Sequence, residues 1–494
     1  MFVQRDVDRL SESLTGSILR PGAPAYDAAI SIDNGRIRLQ PGIVVLAATT
    51  RDVMETLRFA QEHEAKFTVR SGGHSAAGYC LNQGGVVLDM TALKGKSFDA
   101  RKRTLHAQIG NTWSDLYTYL TNTGTGLIPV GGGCPTVGIP GFMLGGGVSF
   151  VSRSYGLSVD NLLSIDLVTP DGKFRRISAE SHSKDEQDLF WACRGGCGGN
   201  FGVVVAFELR VHQPNTERML VGQIRYPIEV AQDLLGFYNE WIQKAPNELA
   251  VYGYMGNAVN PAHTQQGLKS IGLTPIFNGD TARGMELIAP ILKFKNISIS
   301  LYDMTLPDFE LMNGSVTLVK GRQAYIRSGF FPVKGYNADV ARIMPDFMRR
   351  APSTDTLMVW SHTGGKVSEV RPDQTAYVHR DAQFLWEVKA IWTNDYEATD
   401  NVDWAYAFGE ALEPYMSGAY ANYIDPLLRD WPKKYYGDNY ARLCAVKKHW
   451  DPKNFFRFQQ SIGSEFQPPG GTPLDLSPLF QTYAPDQAHF GGAA

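Results

Sequence analysis

Glycine is concentrated in three stretches of the chain: "RSGGHS" at 70–75, "GGGCPTVGIPGFMLGGG" at 131–147 and "RGGCGGNFGVV" at 194–204. Glycine takes up backbone angles closed to other residues and lets main-chain N–H groups approach an anion closely. Three such loops in one region exceed what tight turns require, and a pyrophosphate is the guest they suit. None of them is a strand, G-x-G-x-x-G, helix fingerprint with an acidic residue about 20 positions on. A Rossmann-type nicotinamide site is therefore not expected. The first stretch runs straight into His74, which leaves open a phosphate cradle, a metal ligand, or a group joined to the imidazole itself.

The surrounding periodicity says where these loops sit. "IVVLAA" reads as a buried strand. "TTRDVMETLRFAQEH" follows with Thr49 as cap, Asp52 three residues on, and Val53, Leu57 and Ala60 at helical spacing. "KFTVRSGGH" resumes as a strand, so residues 70–74 arrive at a strand's end, where open α/β layers bind ligands. "NTWSDLYTYLTNTG" is a second amphipathic helix, with Trp113, Leu116 and Leu120 on one face and a stop at Gly124. "SIDLVTPDGKFRRIS" is a hairpin around an Asp-Gly turn.

After about residue 210 the glycine punctuation thins, and strand-like runs alternate with helices such as "VAQDLLGFYNEWIQ", whose Leu234, Tyr238 and Trp241 share a face. A chain of 494 residues is too long for one core. The division expected is 1–208, 209–430 and a closing segment 431–494. The last 28 residues, rich in Pro and Gly, read as an extended tail.

Charge and cysteine usage narrow the partners. Lys and Arg number 47 against 50 Asp and Glu, so no field of one sign draws nucleic acid or an anionic membrane, and a small molecule is the expected partner. No apolar run approaches the length of about 18 residues that a membrane helix needs. The opening residues lack the apolar core of a secretory signal, which places the chain in the cytoplasm, or outside it if trimmed. Five cysteines make no disulfide framework, and Cys193 with Cys197 lack the further ligands of a zinc set, so no metal is expected. Asn296 and Asn313 each begin an N-x-Ser pattern that settles nothing about secretion.

The stretches "RSGGH", "GGGCPTVG", "DLFWACRGGCGGNFGVV", "YANYID" and "YYGDNYARLCAVKKHWDPKNFFRFQQSI" together resemble the berberine bridge enzyme-like flavin oxidases of the vanillyl alcohol oxidase superfamily, over about residues 35–465. The resemblance implies an α+β fold of two domains. One binds FAD, and the other carries an antiparallel sheet covered by helices and binds substrate. It also implies a flavin held by two covalent bonds, from His74 to the 8-methyl carbon and from Cys134 to ring carbon 6. Both carbons are electrophilic in oxidised flavin, and imidazole and thiolate are suitable nucleophiles.

The cofactor residues implied are Arg70, Ser71, Gly72, Gly73, His74 and Ser75 in the first loop. Cys134, Val137, Gly138, Gly145 and Gly146 follow in the second, Gly199 and Val204 in the third, and Asn422 near the end. Plant members usually carry a histidine where this chain has Phe142, and the family mostly has glycine at the position of Cys197.

Members of this family remove a proton from the substrate as hydride moves to flavin, and O2 then takes the electrons, releasing hydrogen peroxide. Two residues are candidates for the base. Glu387 lies in "AQFLWEVKAIW", whose alternation puts Leu385, Glu387, Lys389 and Ile391 on one face, where an ion pair with Lys389 is the competing role. Tyr420 matches the Tyr-x-Asn motif, with Asn422 expected two places along the same strand face. Its ordinary pKa of about 10 is too high for a base at neutral pH without help, which Glu387 would supply as a relay. Val137 occupies the position at which valine goes with oxidases and leucine with dehydrogenases. The activity implied is oxidation of a CH–OH group of a sugar or natural product. Oxidative cyclisation is the alternative, and a flavin carrier without turnover is a third reading.

Overall fold

A computed structural model describes residues 2–257, 269–313 and 322–465. The extended tail expected at the end of the chain lies outside them. The fold is α+β, built on three sheets of four, five and seven strands.

The four-stranded sheet begins the glycine-rich half, in which the sequence places the cofactor and which is called the cofactor half below. Strands Ile43–Leu46 and Phe67–Arg70 flank helix Thr50–Glu62 in sequence, as the periodicity predicts. They are not neighbours in space, because Val86–Asp89 lies between them, parallel to both. The helix starts at a capping box: the Thr49 hydroxyl accepts from Asp52 N–H, and the Asp52 carboxylate accepts from Thr49 N–H. That fully buried carboxylate also accepts N–H bonds from Thr15 (2.8 Å), Gly16 (3.0 Å) and Ala48 (2.8 Å). One side chain thereby ties the helix to the strand Ser17–Leu19.

Burial raises the proton affinity of Asp52, but the converging N–H donors outweigh it and hold the pKa below its ordinary value. A depressed native pKa means that the stabilisation is complete above the unfolded value of about 3.9 and drains away as the pH falls through the native one. Asp52→Ala strands these buried donors, so a loss of about 2–4 kcal/mol is expected, read as a shift in the urea midpoint at pH 7.

The five-stranded sheet contains the expected hairpin, Leu162–Val168 against Phe174–Ser178, with Gly172 at φ +75° in its turn. The C-terminal segment packs into the same core. Trp431, Tyr435, Leu443 and Ile462 join Trp113, Leu144, Phe190 and Phe207 in one apolar cluster.

The seven-stranded sheet is wholly antiparallel and has two unlike faces. Ile224, Tyr226, Leu273, Met358, Trp386 and Val388 point to one side, where helices Ala231–Ile242, Ala338–Arg349 and Ala398–Leu412 bury them. The other side turns toward the cofactor half and meets it at two apolar contacts. Val221, Ala250 and Tyr252 pack on Ile128, Val130 and Val151, and Phe330 and Leu385 pack on Leu157 and Val159. The Tyr252 hydroxyl adds a 2.6 Å bond to the carbonyl of Ser149.

Candidate active site

Strand Phe67–Arg70 delivers the first glycine loop, and the second loop closes on it through bare backbone. A Cβ on Gly72 would lie 2.4 Å from Gly138 N, and a Cβ on Gly138 would lie 2.6 Å from Gly72 N. Only glycine at both places permits that approach. Ser71 Oγ donates to the carbonyl of Ile109 (2.8 Å), and Ser75 Oγ accepts from Tyr79 N–H (3.1 Å). Arg70 folds beneath the loop, with its guanidinium against Gly73. Its guanidinium bonds the buried Asp89 and the carbonyl of Ser31, so it braces the base of the cradle from behind.

His74 and Cys134, far apart in sequence, converge on one side chain. Thr136 Oγ1 lies 3.1 Å from His74 Nε2 and 3.6 Å from Cys134 Sγ. The His74 side chain is 21% exposed, with Nδ1 3.9 Å from Asp33, so both nucleophiles are reachable on one side of the loop pair. Val137 closes the turn after Cys134 with its N–H on the Cys134 carbonyl (3.2 Å), and its side chain is half-buried.

The third loop joins through N–H bonds from Gly195 (3.0 Å) and Cys197 (2.9 Å) to the carbonyl of Leu144. Gly199 stands at φ +76°, and Val204 is buried in the strand Val203–Arg210. Cys197 has φ +66°, a left-handed backbone that glycine takes up without strain and a cysteine does not. None of the five cysteines forms a disulfide.

Tyr420 has an extended backbone but belongs to no strand: it caps the 3-10 turn Ala421–Tyr423 that begins at the next residue. Asn422 nevertheless reaches it by curling back: its Nδ2 donates to the Tyr420 oxygen (2.9 Å) and to the carbonyl of Phe142 (2.8 Å). Gly145 leaves the space for this, since a Cβ there would lie 1.9 Å from Asn422 Oδ1. Gly147 N–H gives the Tyr420 oxygen a second bond of 2.9 Å. Gly146 takes φ +131°, with the Tyr377 ring where a side chain would go. Burial drives the Tyr420 pKa well up, and the N–H donors recover only part of the shift.

Glu387 occupies the middle of strand Ala382–Trp392 on the side facing the cofactor half. Burial raises its pKa, with the charge of Lys389 and the hydroxyl of Tyr423 pulling it back. Its Oε2 makes no hydrogen bond among the described residues. The competing ion pair is not formed: Lys389 shares the face, but no ion pair joins the two among the described residues.

Tyr423 is the residue the sequence reading missed. Its ring stands edge-on to Tyr420, with centroids 5.2 Å apart, and it links the two candidate bases. The signal was present in "YANY", because side chains three apart on a 3-10 turn eclipse.

A family model described as "FAD binding domain" matches residues 41–178, and one described as "Berberine and berberine like" matches residues 419–463. The FAD-linked oxidoreductase YvdP of Bacillus subtilis is 31% identical over 458 residues, spanning 92% of this chain and 99% of its own. Tetrahydroberberine oxidase of Argemone mexicana is 25% identical, spanning 86% and 83%. Among solved structures, wild-type BBE-like 1 of Physcomitrella patens matches with a TM-score of 0.84 at 25% identity, spanning 92% of this chain and 98% of that one.

Proposed function

The chain belongs to the berberine bridge enzyme-like family of FAD-linked oxidoreductases, and from that premise we propose that it is an oxidase carrying FAD tethered through both His74 and Cys134. On this reading it oxidises a CH–OH group of a sugar, an oligosaccharide or a secondary metabolite, with O2 as acceptor and H2O2 as co-product. The observation that carries the reading is the meeting of the His74 imidazole and the Cys134 thiol around Thr136.

The residues fit the group: the bare backbones of Gly72 and Gly138 lock the first two glycine loops together, and two half-buried nucleophiles of the kind an electrophilic flavin ring accepts stand beside the contact. When bound, FAD supplies the hydride acceptor and the reaction with O2. Val137 keeps the space beside the Cys134 attachment small-sided, which suits access by O2.

The chain's own residues handle the proton. Glu387, its carboxylate pushed toward neutrality by burial, is the stronger candidate base, because a carboxylate of raised pKa takes a proton more effectively near pH 7. Tyr420 accepts two N–H bonds on its oxygen, so its own hydroxyl hydrogen is the group left to meet a substrate oxygen. It thereby holds the substrate for Glu387. Tyr420→Phe removes that donor without emptying the site, and turnover is expected to fall at least about tenfold with the flavin spectrum unchanged. Unchanged turnover would take Tyr420 out of the mechanism.

The tether is tested by intact mass after denaturation. The wild-type chain is expected to be heavier by one FAD, and each of His74→Ala and Cys134→Ala is expected to keep that mass through the remaining bond. The double variant is expected to lose its yellow colour on acid precipitation. A wild-type mass equal to the bare chain refutes the double attachment.

A further inference from the structure

The face of the seven-stranded sheet that turns toward the cofactor half carries a cation that no part of the proposed chemistry uses. Cross-strand register sets Arg225, Gly272, Tyr254, Val359, Glu387 and Ser328 in one row. Arg225 is 8% exposed. Its Nε donates to the Tyr254 hydroxyl at 2.8 Å, and this is the one side-chain hydrogen bond it makes among the described residues. No carboxylate pairs with it among them.

The arrangement is built rather than incidental. A Cβ at Gly272 would lie 2.0 Å from the Tyr254 ring, so glycine between the two strands lets that ring lie across the sheet and meet the arginine. The guanidinium is held by one nitrogen, and its two terminal nitrogens make no hydrogen bond among the described residues.

A buried guanidinium without a counter-ion is costly, and the cost is repaid when an anion arrives. The rest of the face does not supply one. Among the described residues its strands present Gln223, Thr274, Ser298, Ser300, Leu357 and Lys389, and their one acid on this side is Glu387, at the far end of the row; the buried Glu310, on a helix packed against the face, lies beside Tyr252 and Tyr117.

We propose that Arg225 is an anion subsite: the substrate carries a carboxylate, or a comparably compact anion, that Arg225 binds while the carbon to be oxidised lies beside Glu387. This rests on the oxidase reading, in which Glu387 marks the reacting end. Four strand steps of about 4.8 Å separate the two residues along the row. With both side chains leaning inward, the anion and the reacting carbon lie roughly 12–15 Å apart. That is the span of a short acidic oligosaccharide, or of an aromatic head on an alkyl acid.

The test is calorimetric titration of the purified holoenzyme with 4-hydroxyphenylalkanoates of increasing chain length, each beside its methyl ester. At the best length the acid is expected to bind at least about tenfold more tightly than the ester, the gain of one charge-assisted bidentate contact. Arg225→Gln is expected to erase that gap, Arg225→Lys to keep part of it, and Lys389→Met to keep it whole. Equal binding of acid and ester by the wild type overturns the subsite and needs no variant. A gap that survives Arg225→Gln also overturns it, and shows the arginine to be a strut for Tyr254. The flavin spectrum of the same samples judges the oxidase reading separately, since the titration requires no turnover.

Discussion

Glu387→Gln is expected to lower kcat at least about a hundredfold, the worth of a positioned general base, while the chain stays folded and keeps its flavin. Glutamine matches the size of the carboxyl and sits on the same strand between the same neighbours, so what is lost is the capacity to take a proton. The pH profile gives the sharper readout. Burial raises the Glu387 pKa, and a base works only when deprotonated, so kcat/KM of the wild type is expected to fall as the pH drops through that raised value. The acid limb therefore lies above the ordinary glutamate value of about 4.3 and is absent from the variant. If the variant keeps the wild-type rate and the same acid limb, the base is elsewhere and Tyr420 is the next candidate.

The second large effect is expected at Gly72. An added methyl would stand 2.4 Å from Gly138 N and 2.9 Å from Gly138 Cα, both main-chain atoms that cannot swing aside. The two loops must part, and with them the backbone donors and the pairing of His74 with Cys134 around Thr136. Gly72→Ala is expected to yield a folded chain with less than about a tenth of its flavin, because a displacement of about 1 Å is enough to spoil a preorganised site. The check is the ratio of flavin to protein absorbance, together with the fraction of intact chain carrying the added mass. Gly236→Ala is the control, since a Cβ there meets nothing within 4 Å. A Gly72→Ala protein with full flavin content would show that the loop contact is not what holds the cofactor.

Local signals in the sequence carried much of this architecture. The Thr49 and Asp52 capping box, the helix begun at Trp113 and the hairpin at Asp171-Gly172 follow from a few adjacent residues, and they form as the pattern predicts. The facing of Glu387 follows from strand alternation. What was not legible depends on partners distant in sequence. That Val86–Asp89 slides between two strands is a matter of sheet order, which no window of residues records. Tyr420 was read as a strand residue because Tyr-x-Asn has period two, whereas the backbone turns immediately after it and Asn422 reaches the Tyr420 oxygen by curling back. Arg225 looks like any strand arginine until Gly272 and Tyr254 are set beside it by register.

The shared core of the first and last described segments has a consequence for the order of assembly. Asn200 of the third loop accepts Ile462 N–H on its side-chain oxygen (2.9 Å) and Lys447 Nζ on its carbonyl (2.7 Å). The half of the molecule that carries the FAD-binding match is thus interrupted in sequence by the whole seven-stranded sheet and completed by residues that follow it. The third loop gains these partners only once the seven-stranded sheet has been synthesised, and contacts of such long reach form slowly. A chain stalled before helix Tyr440–Trp450 lacks these partners, and the third glycine loop is left without them.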